Sequence, residues 1–101
     1  MKKIITQTLI TSVLAVGIVS GPAQAVSITA VSWGGAYTIS QVEAYHKPWM
    51  AATGNKVVSE DYSGGLAEVK AQVETGNVTW NLVDVELSDA VRGCDEGLFM
   101  P

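Results

Sequence analysis

Val26-Ser27-Ile28-Thr29-Ala30-Val31-Ser32-Trp33-Gly34-Gly35-Ala36-Tyr37 is the stretch that decides the fold. Residues 26–33 are apolar and β-branched and stop at a glycine pair, so they predict a strand followed by a turn. Beyond the turn the apolar period changes. Ile39, Val42, Tyr45 or His46, Trp49 and Met50 recur at helical spacing and predict a helix over 38–53. Pro48 lacks a backbone donor, so a kink or restart is predicted near His46. Gly54 is a C-terminal stop, and Lys56 to Tyr62 reads as a second strand. Ser63-Gly64-Gly65 then opens a helix with Leu66, Val69 and Val73 as its apolar stripe and Glu68, Gln72 and Glu74 as its wet face. Gly76 ends it. Trp80 to Glu86 reads as a third strand, apolar on both faces at Leu82, Val83 and Val85, as a sheet covered on both sides requires. Ser88 is expected to cap a last helix, with Asp89 near its positive end, a stripe of Leu87, Val91, Cys94 and Leu98, and Gly97 as its stop. The order β-α-β-α-β-α predicts an α/β fold with a mainly parallel sheet and right-handed crossovers. No repeat, low-complexity tract or linker interrupts it.

Upstream of this pattern lies an export signal. Lys2 and Lys3 precede an uncharged apolar run from Ile4 to Val19, Gly21-Pro22 breaks it, and Ala23-Gln24-Ala25 is an A-x-A cleavage site. The run is shorter than the ~20 residues a membrane-spanning helix needs. No Cys follows the cleavage site, so a released protein without a lipid anchor is expected, in a bacterial periplasm. The predicted organisation is a signal peptide over 1–25 and one α/β unit over 26–101.

Cleavage after Ala25 removes two of the six basic residues and leaves Lys47, Lys56, Lys70 and Arg92 against ten acids. So acidic a chain is not expected to bind nucleic acid or an anionic membrane. Residues 26–101 suffice for one small core. The ending Leu98-Phe99-Met100-Pro101 reads as the middle of a larger design, so an incomplete lobe is expected. Cys94 is the only cysteine. In an exported protein it is either a buried thiol, an intermolecular bridge, or half of a pair.

Parallel α/β sheets bind ligands outside the carboxyl ends of their strands. Three turns occupy that edge: Ser32 to Tyr37, Asp61 to Gly65, and Asp84 to Ser88. Trp33 and Tyr37 bracket Gly34-Gly35, which would let backbone and helix N–H groups approach a ligand, while the rings hold an apolar chain or a cation. The alternative is a tight turn with two core aromatics. Ser63-Gly64-Gly65 is either turn chemistry or part of the rim. Asp84 and Glu86 alternate, so only one is expected to reach a cleft, and Glu86 is nearer the strand end. No P-loop, dinucleotide fingerprint or metal-ligand cluster is present. The single histidine, His46, reads as a surface or boundary residue, Trp80 as a packing residue, and the sequon Asn77-Val78-Thr79 as a turn. No enzyme activity, cofactor or metal is expected.

Trp33-Gly34-Gly35-Ala36-Tyr37, Thr53-Gly54 before a Val-Val strand, Gly64-Gly65-Leu66 and Gly93-Cys94-Asp95-Glu96-Gly97-Leu98, in this order, resemble the periplasmic solute-binding proteins of ABC transporters, in their spermidine/putrescine branch. The resemblance implies two α/β lobes of the type II kind closing on a ligand, with this chain as the start of the first lobe. It implies a cationic small solute, probed by Trp33 and Tyr37 and by the loop Glu86 to Ser88, with a membrane permease as partner and a monomeric full-length protein. It also implies a second cysteine further along for Cys94. Where that branch carries Asp after the Trp that starts the third strand, this chain has Asn81. The candidate ligand-binding set is Trp33, Gly34, Gly35, Tyr37, Ser63, Glu86 and Ser88. The rival readings are part of a secreted α/β hydrolase or transferase, and a truncated product without function.

Overall fold

The computed structural model describes residues 17, 18, 21 and 23–100. Most of the predicted export signal lies outside the described residues. No helix among the described residues is long and apolar enough to cross a membrane.

Strand β1, Ser27–Ser32, runs through the centre of a three-stranded parallel sheet. Strand β2, Lys56–Asp61, pairs with it on one side from Ser27↔Lys56 to Ser32↔Asp61. Strand β3, Leu82–Val83, pairs on the other through Ala30↔Leu82 and Val31↔Val83. Two asparagines extend these ladders with their side chains. Asn55 Oδ1 accepts from the Val26 N–H at 3.0 Å, and Asn81 Oδ1 from the Thr29 N–H at 2.8 Å. Asn81 therefore serves the β1–β3 register. The third strand is shorter than the predicted 80–86, although the Asn81 and Asp84 N–H groups still donate to Thr29 and Val31 of β1.

Helix α1, Gly35–Gln41, continues through a π-helical turn, Val42–His46, into α2, Lys47–Thr53. The wide turn is closed by the Lys47 N–H donating to the Val42 carbonyl. It falls where the kink was predicted, because Pro48 has no N–H for the regular ladder. The inserted residue also decides between Tyr45 and His46: Tyr45 is exposed, and His46 is half-buried. Helix α3, Ala67–Thr75, and helix α4, Leu87–Asp95, complete the order β-α-β-α-β-α. The predicted stops Gly54, Gly76 and Gly97 all have left-handed backbones. At Gly76 the Asn77 N–H returns to Gln72 O, and the Gln72 side chain accepts from the N–H groups of Thr79 and Trp80, steering the chain into β3.

Ala30, Val31, Tyr62, Leu66 and Val69 form the core. Two expectations for α4 are corrected. Glu86 holds the extended cap position, so Ser88 lies inside the helix and makes no side-chain cap bond. The stripe Leu87, Val91, Cys94 faces away from the core: Leu87 is 81% and Val91 55% exposed, and Cys94 is an exposed free thiol. The buried residue of α4 is Gly93, against the Phe99 ring of the returning chain. A Cβ at Gly93 would stand 2.3 Å from Phe99 Cε2.

Val58 of β2, Leu82 of β3 and the α4 stripe leave much apolar surface uncovered. Such a sheet edge invites intermolecular pairing. Residues 26–101 alone are accordingly expected to aggregate or unfold without a cooperative transition. A sharp two-state melt of the monomer, followed by circular dichroism, would show that the core has been underrated.

Candidate functional site

The sheet order β2-β1-β3 places the reversal of strand order beside β1, the position where open α/β sheets bind ligands. An open cleft of about 460 Å³ lies at this edge, lined by Trp33, Tyr62, Ser63, Gly64, Gly65, Glu86 and Asp89. The turns after all three strands contribute to it.

Two carboxylates hold these turns together. The Asp84 carboxylate accepts from Ser32 Oγ at 2.8 Å and from Gln41 Nε2 at 2.6 Å. The Asp84 carbonyl accepts from the Tyr62 hydroxyl. On the opposite side of β1, Asp61 Oδ1 accepts from Thr38 Oγ1 at 2.8 Å, and Thr38 Oγ1 accepts in turn from the Gly34 N–H at 2.9 Å. The Gly34 N–H is thus taken by the protein itself, contrary to the expectation that it would meet a ligand. Gly34 is required on two counts. Its φ is +86°, and a Cβ there would sit 3.3 Å from Asp61 Oδ2.

Of the residues predicted for the site, Trp33, Ser63 and Glu86 line the cleft. Trp33 is 40% exposed. Tyr37 does not line it, but its ring packs against Trp33, tilted by 38° with centroids 5.1 Å apart. Gly34 and Gly35 form the turn behind Trp33, and Ser88 is exposed on α4 outside the cleft lining. Asp84 is spent on Ser32 and Gln41, which leaves Glu86 as the strand-end carboxylate in the cleft, the alternation's own preference. The Glu86 carboxylate makes no hydrogen bond or ion pair among the described residues.

Sequence reasoning missed Tyr62 and Asp89. Tyr62 is buried, packs edge-on against Trp80 at 5.5 Å and donates to the β3 end. Burial first, and then the nearby carboxylates Asp84, Asp89 and Glu68, hold its phenol above the usual pKa. It stays protonated and donating at neutral pH. From the sequence Asp89 reads as a helix-dipole residue. Its position three residues after Glu86 is the signal that puts both on one helical face. It pairs with Arg92 at 2.9 Å. Trp80 is a packing residue as predicted, donating Nε1 to Glu60 at 2.8 Å. His46 lies in the π-helical turn and is not part of the cleft lining. No group of three His, Cys, Asp or Glu among the described residues is placed to hold a metal ion.

A parallel α/β sheet with loops gathered at its carboxyl edge is the architecture of the periplasmic binding proteins, and the solved structures it resembles are of that class. The periplasmic binding protein AgtB of A. tumefaciens R10, solved with agropinic acid, superposes with a TM-score of 0.71 at 34% identity, over 78% of this chain and 25% of that one. MotA of A. tumefaciens B6, solved with glucopine, gives 0.66 at 27% identity, over 70% of this chain and 22% of that one. In sequence, the gamma-aminobutyric acid-binding protein of Pseudomonas aeruginosa is 48% identical over 77 residues, 76% of this chain and 22% of that protein. The chain spans about a fifth to a quarter of these relatives. No family model matches it. All three are described as binding proteins and none by a reaction, in keeping with the expectation of a binding protein. None is named for a polyamine, so the branch expected from the motifs finds no support among them.

Proposed function

We propose that this chain is part of the first lobe of a periplasmic solute-binding protein of an ABC importer, and that its solute is a small amino acid of the gamma-aminobutyric acid kind. The observation that carries this reading is the cleft itself. Trp33 and two carboxylates, Glu86 and Asp89, line one opening formed by the turns after all three parallel strands. An ammonium group removed from water needs carboxylate partners, and an aromatic face adds cation–π attraction. The 48% identity over 77 residues to a gamma-aminobutyric acid-binding protein supports an amine carried on a short amino acid rather than a linear polyamine. The protein would act as a monomer, deliver its solute to a membrane permease and perform no chemistry. Nothing in the cleft favours a hydrolase, since Ser63 has no histidine beside it in the lining.

Calorimetry of the full-length protein with gamma-aminobutyric acid, putrescine, spermidine and a neutral sugar tests the reading. Saturable binding of gamma-aminobutyric acid with weaker or no binding of the diamines is the expected result. Preference for a diamine restores the polyamine reading, and binding of the sugar alone removes the ammonium group from the account.

The export signal over 1–25 and the lobe over 26–101 belong to the same proposal. N-terminal sequencing of periplasmic material is expected to begin at Val26. An intact Met1 on membrane-bound protein would overturn the export reading.

A further inference from the structure

We infer that Asp84 is a positioning residue, which orients the aromatic wall of the cleft through α1 without touching the ligand. Trp33 follows β1 directly, and the ring packed against it, Tyr37, belongs to α1. The orientation of the wall therefore depends on how α1 is fixed to the sheet. Two residues of α1, one helical turn apart, fix it. Thr38 donates to Asp61 at the end of β2, and Gln41 to Asp84 just beyond β3. The register brings Ser32 of β1 level with Asp61, and Ser32 donates to Asp84 from the other side. Asp84 also joins the third turn, because its carbonyl accepts from Tyr62, a lining residue of the cleft.

The two latches differ in reach. The Asp61 side chain ties α1 only to β2 and, through Thr38, to the Gly34 turn. Asp84 ties α1, β1, β3 and the Tyr62 turn at one residue, through side chain, carbonyl and N–H together. No lysine or arginine is paired with Asp84 among the salt bridges of the described residues. Its carboxylate is held by neutral donors alone, so losing it frees Ser32 and Gln41 together. Sites held by such supporting hydrogen bonds lose binding when the support goes, even with every contacting residue intact.

This inference rests on the proposed site, but its first readout needs no ligand. In the full-length protein labelled with fluorotryptophan, the ¹⁹F signal of Trp33, assigned by its loss in Trp33→Phe, is expected to shift or broaden in Asp84→Ala and in Gln41→Ala. It is expected to stay in place in Val69→Ala, a core change on α3 that removes no hydrogen bond of either latch and lowers stability. Binding of gamma-aminobutyric acid is expected to weaken about tenfold in Asp84→Ala, to recover largely in Asp84→Asn, whose amide oxygen still accepts, and to be unchanged in Val69→Ala. If Asp84→Ala does not fold, Gln41→Ala, which removes only the link to α1, decides. A Trp33 signal unchanged in the variants that fold overturns the inference. A shifted Trp33 signal in a protein that ignores gamma-aminobutyric acid leaves the positioning role standing and removes the proposed solute.

Discussion

Trp33→Ala in the full-length protein is expected to weaken binding of gamma-aminobutyric acid by about 1–3 kcal/mol, from lost cation–π attraction and lost packing. Trp33 lines the cleft and is 40% exposed, so its ring has a free face to offer and a second face against Tyr37. Because the residue follows the strand and is not in the buried core, removing the ring should leave the melting temperature of the full-length protein nearly unchanged. Trp33→Phe, which keeps a smaller aromatic face, should fall between wild type and alanine. Calorimetry on the three proteins checks the series, and normal affinity in Trp33→Ala would remove the aromatic wall from the site.

Glu86→Gln is expected to cost a similar amount, about 1–3 kcal/mol, the range for a hydrogen bond to a charged group. The substitution preserves shape and removes the charge. Glu86 is exposed at the cap position of α4 and has no partner of its own among the described residues, so its charge is available to a ligand. Asp89 lines the same cleft but shares its charge with Arg92. Asp89→Asn is therefore expected to cost less than Glu86→Gln, and the reverse ranking would show that the ammonium group lies nearer Asp89 in α4's first turn than Glu86 at its cap. Since the missing charge weakens attraction over a distance, the loss should shrink as salt is raised.

The alternation of periods two and 3.6 made the element order legible, and the glycine pair after residues 26–33 made the carboxyl edge of the sheet legible as the rim. The same periodicity could not say which side of α4 is covered. Leu87, Val91 and Cys94 do share one face, but within this chain the covered side is the one carrying Gly93, packed on Phe99. Spacing records which residues lie together, and only tertiary contact decides which face is buried. The third strand came out short because Asn81 and Asp84 extend its pairing by single backbone bonds outside the regular ladder. At the site, Trp33 and Glu86 were legible from their place after a strand. Tyr62 was not, because the same turn offered Ser63-Gly64-Gly65 as its more conspicuous feature. From the sequence Asp84 reads as the less favoured of two candidate ligand carboxylates. Its real partners, Ser32 and Gln41, are 52 and 43 residues away in the chain, and no local pattern announces them. Asn81, where the resembled branch carries Asp, keeps the acceptor that β1 needs at Thr29, so the exchange leaves the sheet intact.

The most direct test is a crystal structure of the full-length protein with gamma-aminobutyric acid bound. The account predicts the ligand between the lobes, its ammonium group within hydrogen-bond distance of Glu86 and its methylene chain against the Trp33 ring. A ligand bound with no contact to Trp33, Glu86 or the Tyr62-to-Gly65 turn would contradict it.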